Sequence, residues 1–80
     1  MKIRVLYFAG LRERAGGSSS VEEVAPGTTA GAVWAAVRLR PVFTGIGYSP
    51  GFAVNGAWTG PERVLTEGDE LALLPPVSGG

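Results

Sequence analysis

At 80 residues, with seven basic and seven acidic side chains and a formal charge of zero, the chain is one small domain near the lower size limit for folding without staples, and its neutral balance excludes an electrostatic nucleic-acid binder. It has no cysteine and no histidine, which excludes disulfides, thiolate metal sites, thiol catalysis and the usual general base at neutral pH. No apolar run nears the ~20 residues of a membrane helix, and the amino terminus has no signal-peptide core, so the expectation is a soluble cytoplasmic domain that binds no membrane, no metal and no cofactor of its own.

Residues 2–8 alternate: Ile3, Val5 and Tyr7 fall on one face, Leu6 and Phe8 on the other. A period of two in β-branched and aromatic residues predicts a strand. A short helical turn follows over 11–15, stopped by Gly16-Gly17. A second strand over 18–25 pairs with the first across this long connection. Pro26-Gly27-Thr28-Thr29 opens a helix, with a threonine accepting from a free backbone N–H of the first turn. Ala30, Val33, Trp34 and Val37 form its apolar stripe, Pro41 ends it, and Arg38 and Arg40 suit the negative end of its dipole.

The stretch 42–51 reads as loop, with Phe43, Ile46 and Tyr48 covering an edge of the core. Residues 52–56 are a strand entering an Asn-Gly hairpin turn, with Trp58 just beyond it. Residues 63–65 form a short edge segment, 66–69 a second tight turn, and 70–74 the last strand, closed by Pro75-Pro76. One helix can bury its stripe on only one face of a sheet. The outcome is an α+β domain of β-grasp (ubiquitin-like) outline over 1–80. The apolar first and last strands lie adjacent, central and parallel, with the helix in their crossover.

That arrangement turns Leu6, Phe8 and Leu74 away from the helix, and Trp58, just beyond a hairpin turn, carries a ring that is hard to bury completely, so the four form an exposed apolar patch. An apolar patch of this kind on a small domain marks a partner surface, unless the 38–51 segment folds over it. The tail, 75–80, is stiff at Pro75-Pro76, which hold the next residues extended, and slender at Ser78-Gly79-Gly80, where no large side chain blocks passage through a narrow channel. The carboxylate of Gly80 is then the distinctive functional group. Ionised at neutral pH, it needs activation, most simply as an adenylate. No phosphate-binding glycine motif occurs, so another protein must supply the ATP. No histidine is present to activate a serine, which argues against an enzyme acting alone.

Residues 5–9 (Val-Leu-Tyr-Phe-Ala), Leu11-Arg12-Glu13, Ala53-Val54-Asn55-Gly56, 65–70 (Leu-Thr-Glu-Gly-Asp-Glu) and the Pro-Pro-Val-Ser-Gly-Gly end resemble the small subunits of molybdopterin synthase, a family of ubiquitin-like sulfur carriers. The resemblance implies that an E1-like enzyme adenylates Gly80 with ATP and Mg²⁺, and that a sulfurtransferase donor supplies sulfur to make a thiocarboxylate. The tail then enters the large synthase subunit, in a heterotetramer, and gives the sulfur to cyclic pyranopterin monophosphate. It implies that Gly79 and Ser78 give the tail access, and that Phe8, Trp58 and Leu74, with Leu6, Pro75, Pro76 and Val77, meet the large subunit. Trp58 stands where the family has an aliphatic residue. Arg12 and Glu13 are expected to be a solvated pair, and Asp69 and Glu70 to shape their turn. The alternatives are a sulfur carrier for thiamine thiazole synthesis or tRNA thiolation, a modifier conjugated to proteins through Gly80, and a plain interaction module.

Overall fold

The computed structural model describes residues 1–76. Five strands form one mixed sheet: β1 (Lys2–Tyr7), β2 (Ser19–Glu23), β3 (Gly51–Val54), β4 (Ala57–Thr59) and β5 (Glu70–Leu74), in the order β2-β1-β5-β3-β4. β1 and β5 run parallel at the centre, with Val5 beside Leu71 and Tyr7 beside Leu73, and the other pairs are antiparallel. The expected α+β, β-grasp architecture is the observed one. A short helix α1 (Ala9–Ala15) joins β1 to β2 and stops at Gly16, whose φ of 75° gives a left-handed cap. The Asn-Gly turn is also as expected, with φ of 51° at Asn55 and 85° at Gly56.

Helix α2 (Ala30–Val37) lies across the inner face of the sheet, and its free N-terminal donors are all taken. Ala30 N–H donates to the Arg63 carbonyl at 2.9 Å, Gly31 N–H to that of Pro61 at 2.8 Å, and Ala32 N–H to Thr29 Oγ1 at 3.2 Å. The short edge segment expected over 63–65 makes one bridge, Val64 to Thr29. Its work is to cap the helix and to seat Leu65 in the core.

Two expectations need correction. Helix α2 ends at Val37, so Arg38 and Arg40 are not in its last turn. Pro41 forces Arg40 into an extended conformation, and the chain tightens beforehand through three-residue bonds, Leu39 N–H to Ala36 O and Arg40 N–H to Val37 O. Nor do Phe43 and Ile46 merely cover an edge. After a 3₁₀ turn, Pro41–Phe43, both are buried in the core. The Phe43 ring centroid lies 5.7 Å from that of Tyr7 and 6.4 Å from that of Trp34. Tyr48 packs against this core half-buried.

Candidate functional site: the outer face of the sheet

The strand alternation sends Ile3, Val5, Tyr7, Phe52, Val54, Leu71 and Leu73 to the helix, where all are buried. Among the described residues no helix lies over the opposite face, and its two ends differ in chemistry. At one end stand Lys2, Arg4, Glu23 and Glu70, all exposed, with Arg4 and Glu70 in loose contact at 3.9 Å. At the other end register places Leu6, Ala72, Ala53 and Trp58 in one row across four strands. The next row holds Leu74 beside Gly51, and Phe8 follows β1.

Within this apolar half the flanking side chains remain accessible. Trp58 is 75% exposed and Phe8 42%; Leu6 and Leu74 are half-buried. Ala53 and Ala72, small and flanked by Leu6 and Trp58, are buried. The 38–51 segment does not cover the patch, since Phe43 is spent on Tyr7 and Trp34 at the helix side. The Trp58 ring lies over Gly51: a β-carbon built there would stand 2.8 Å from Trp58 Cζ3. Gly51 therefore provides the bed on which the indole lies, a role the sequence reading assigned to no residue.

β5 leaves the sheet at this same end. Leu74 is its last residue, Pro75 is half-buried and Pro76 exposed. Val77, Ser78, Gly79 and Gly80 lie outside the described residues. The structure thus brings Leu6, Phe8, Trp58, Leu74, Pro75 and Pro76 to one end of one face. Arg12 and Glu13 are both exposed on α1, near a shallow depression of about 560 Å³ that they line with Ala9, Gly16, Gly17 and Ser18.

The polar network sits away from the patch. Asp69 is 6% exposed and accepts from Thr66 N–H at 2.7 Å and from Asn55 Nδ2 at 2.9 Å. The Thr66 N–H holds its carboxyl below the usual range, helped by the Asn55 amide and opposed by burial. Asp69 thus shapes its turn, as expected. On the helix side Arg40 pairs with Glu22 through Nη2 at 2.5 Å and Nη1 at 3.1 Å, and Ser20 Oγ donates to Glu22 at 2.7 Å. The hydrogen bond from Arg40 lowers the Glu22 carboxyl. Among the described residues no three acidic side chains cluster as a metal site, and no helix is long and apolar enough to cross a membrane.

Comparison with known proteins agrees with this arrangement. The ThiS family model matches residues 5–80. The molybdopterin synthase sulfur carrier subunit of Chlamydomonas reinhardtii is 35% identical over 83 aligned positions, covering all of both chains. Among solved structures, the small archaeal modifier protein 1 of Haloferax volcanii superposes with a TM-score of 0.80 at 28% identity, over 95% of this chain and 98% of that one. A putative molybdopterin converting factor subunit 1 of Pyrococcus furiosus superposes with a TM-score of 0.81 at 27% identity, over 96% and 99%.

Proposed function

The chain belongs to the ThiS family, and on that footing we propose that it is the sulfur carrier subunit of a molybdopterin synthase, working through a thiocarboxylate on Gly80. One observation carries the reading: β5 runs out into Pro75-Pro76 at the edge of the exposed apolar half-face. A partner that grips Phe8, Trp58 and Leu74 therefore receives the tail beside its grip. The full-length relationship to the algal sulfur carrier supports the choice of pathway.

The chemistry follows from the atoms. An E1-like enzyme binds ATP and Mg²⁺; a carboxylate oxygen of Gly80 attacks the α-phosphorus, and pyrophosphate leaves. Sulfur at the level of hydrosulfide, supplied by a sulfurtransferase, then attacks the acyl carbon and AMP leaves, giving the thiocarboxylate. Ser78 and Gly79 keep the thread slender in the large subunit, where the sulfur passes to cyclic pyranopterin monophosphate in a heterotetramer. Val77 joins Pro75 and Pro76 in the contact that leads the tail in. The carrier supplies no catalytic side chain and needs no bound cofactor. The reading is of a cytoplasmic protein, since activation draws on ATP.

Intact-mass analysis of the protein from its host tests this. The expected result is a species in which one terminal oxygen is replaced by sulfur on a chain ending at Gly80, absent when Gly80 is deleted. A chain extending past Gly80, or a Gly80-deleted chain that still supports molybdopterin formation, overturns it. A second reading is favoured by the name of the Haloferax relative: a modifier joined to target lysines through the same acyl-adenylate. A ladder of conjugates in lysate, lost with Gly80, supports that reading. Restored tRNA thiolation or thiamine thiazole synthesis without molybdopterin would assign the sulfur elsewhere.

A further inference from the structure

Among the described residues the sheet ends at two edge strands, β2 and β4, and they differ. β4 is only Ala57–Thr59 and runs into Gly60-Pro61, a guarded edge. β2 is longer and carries neither proline nor lysine. The bonds to β1 fix which of its backbone groups are used. Tyr7 N–H donates to Ser18 O at 2.9 Å, and Met1 and Val24 exchange bonds at 2.8 Å each. With Ile3 opposite Glu22 and Val5 opposite Ser20, the even-numbered residues of β2 are the bonded ones. Antiparallel alternation then turns the N–H and C=O of Ser19, Val21 and Glu23 outward, away from β1. Val21 is 63% exposed, an apolar β-branched side chain at the middle of this open edge.

We infer that the β2 edge pairs with the β2 edge of a second copy of this chain, antiparallel about a two-fold axis at Val21. The register is self-complementary. Val21 meets Val21 of the other copy, and Ser19 meets Glu23, each pair exchanging both backbone bonds. On the outer face Glu23 then lies between Lys2 of its own chain, its partner in the β1 register, and the neutral Ser19 of the other copy. On the inner face Ser20 meets Glu22, which its own Arg40 already neutralises. No like charges stand directly opposite one another, which is what cross-strand pairing requires. A groove of about 430 Å³ between β2 and α2, lined in part by Val24, Ala36, Val37 and Arg40, leaves room for the side chains of the added strand. A charged strand from another protein would lose this match at Val21, the axis residue; a second copy meets it with its own valine.

The consequence reaches past the sulfur chemistry and does not depend on it. Pairing continues the sheet through both copies and leaves both apolar half-faces open. The two β5 strands run antiparallel, five strand spacings or about 24 Å apart, and each Leu74 lies four residues beyond the level of the axis, about 13 Å in opposite directions, so the tails start roughly 36 Å apart. The two copies then travel as one unit.

The test uses the full chain. The buried area is small, so association is weak, and sedimentation must run up to about 1 mM protein. The mass is expected to rise toward that of a dimer, with amide exchange at Ser19, Val21 and Glu23 slowing as concentration rises. Val21→Lys and Val21→Glu, each at an exposed site, are expected to be monomeric alone and to form a heterodimer when mixed. A concentration-independent monomer mass overturns the inference. So does association that survives both variants, or that is lost in Trp58→Ala but kept in Val21→Lys, because the contact would then belong to another surface.

Discussion

The side-chain amide of Asn55 donates to Asp69 Oδ1 at 2.9 Å, and so ties the β3–β4 hairpin turn to the turn that enters β5. Both ends of Asn55 are used, since its Oδ1 accepts from Glu70 N–H at 2.9 Å. Asp69 in turn anchors the Thr66 N–H. This one buried carboxylate therefore holds β5, the strand that carries the tail, in register beneath the hairpin that carries Trp58.

The pH dependence of stability follows. Asp69 is held below its ordinary value in the fold, so the folded state binds fewer protons than the unfolded state in the intervening range. Its stabilisation is complete above the unfolded value of about 3.9 and is lost as pH falls through the lower folded value. Glu22 has the same sign through Arg40. Urea denaturation at pH 7 and near pH 3 is expected to show a loss of stability with acid. In Asp69→Asn that difference is expected to shrink, with a cost of about 1–3 kcal/mol at pH 7 for the disturbed bonds. An unchanged difference would remove Asp69 from the account.

The turns and caps were legible because each is decided within a few residues. Asn55-Gly56 supplies positive φ, Gly16 a left-handed stop, and Thr29 an oxygen for the first turn of α2. The two-residue alternation of β1 and β5 likewise separated the core from the outer face and so pointed to Leu6, Phe8 and Leu74, while the Asn-Gly turn just before it pointed to Trp58. What escaped was settled over long separations. Phe43 and Ile46 have no periodicity of their own, and their burial depends on Tyr7 and Trp34 being where the sheet and α2 put them. Arg40 read as a helix-end charge because its partner, Glu22, is 18 positions away. The role of Gly51 is set by the ring of Trp58, which reaches it only across a strand pair.

Gly31 yields a prediction opposite to helix propensity. An alanine gains up to about 1 kcal/mol over glycine in an ordinary helix. Here a β-carbon on Gly31 would stand 2.9 Å from Pro61 Cβ and 3.1 Å from the Pro61 carbonyl oxygen, and that carbonyl is the one its own N–H must reach. Moving Pro61 would pull the cap off α2. Gly31→Ala is therefore expected to destabilise by about 1–3 kcal/mol, the usual cost of overpacking, read as a lower midpoint in thermal or urea unfolding. A stabilised variant would mean the 60–65 segment yields freely.

Three aromatic truncations separate surface from core. Trp58 is largely exposed, whereas Phe43 is buried between Tyr7 and Trp34. Phe43→Ala is expected to cost about 3–5 kcal/mol of stability. Trp58→Ala and Phe8→Ala are expected to cost under about 1 kcal/mol of stability, yet about 2 kcal/mol or more in affinity for the large synthase subunit, some thirtyfold in Kd, as interface aromatics do. Calorimetric titration beside urea unfolding gives both numbers for each variant. Should Trp58→Ala bind the large subunit as well as the parent, the apolar half-face is not the docking surface.

Gly51→Ala probes the same surface without removing a single contact group. The added methyl conflicts with Trp58 Cζ3, the outer part of an exposed ring that is free to swing away, rather than with backbone. The fold should therefore tolerate it, with a stability change within about 1 kcal/mol. The indole, however, can no longer rest over Gly51, and the partner meets a displaced ring. Tryptophan fluorescence is expected to shift, although Trp34, buried in the core, keeps its own contribution. Affinity for the large subunit is expected to fall toward that of Trp58→Ala, and the double variant Gly51→Ala with Trp58→Ala should be no weaker than Trp58→Ala alone. That non-additivity is the signature of one residue acting through another. Additive losses would show that Gly51 meets the partner directly.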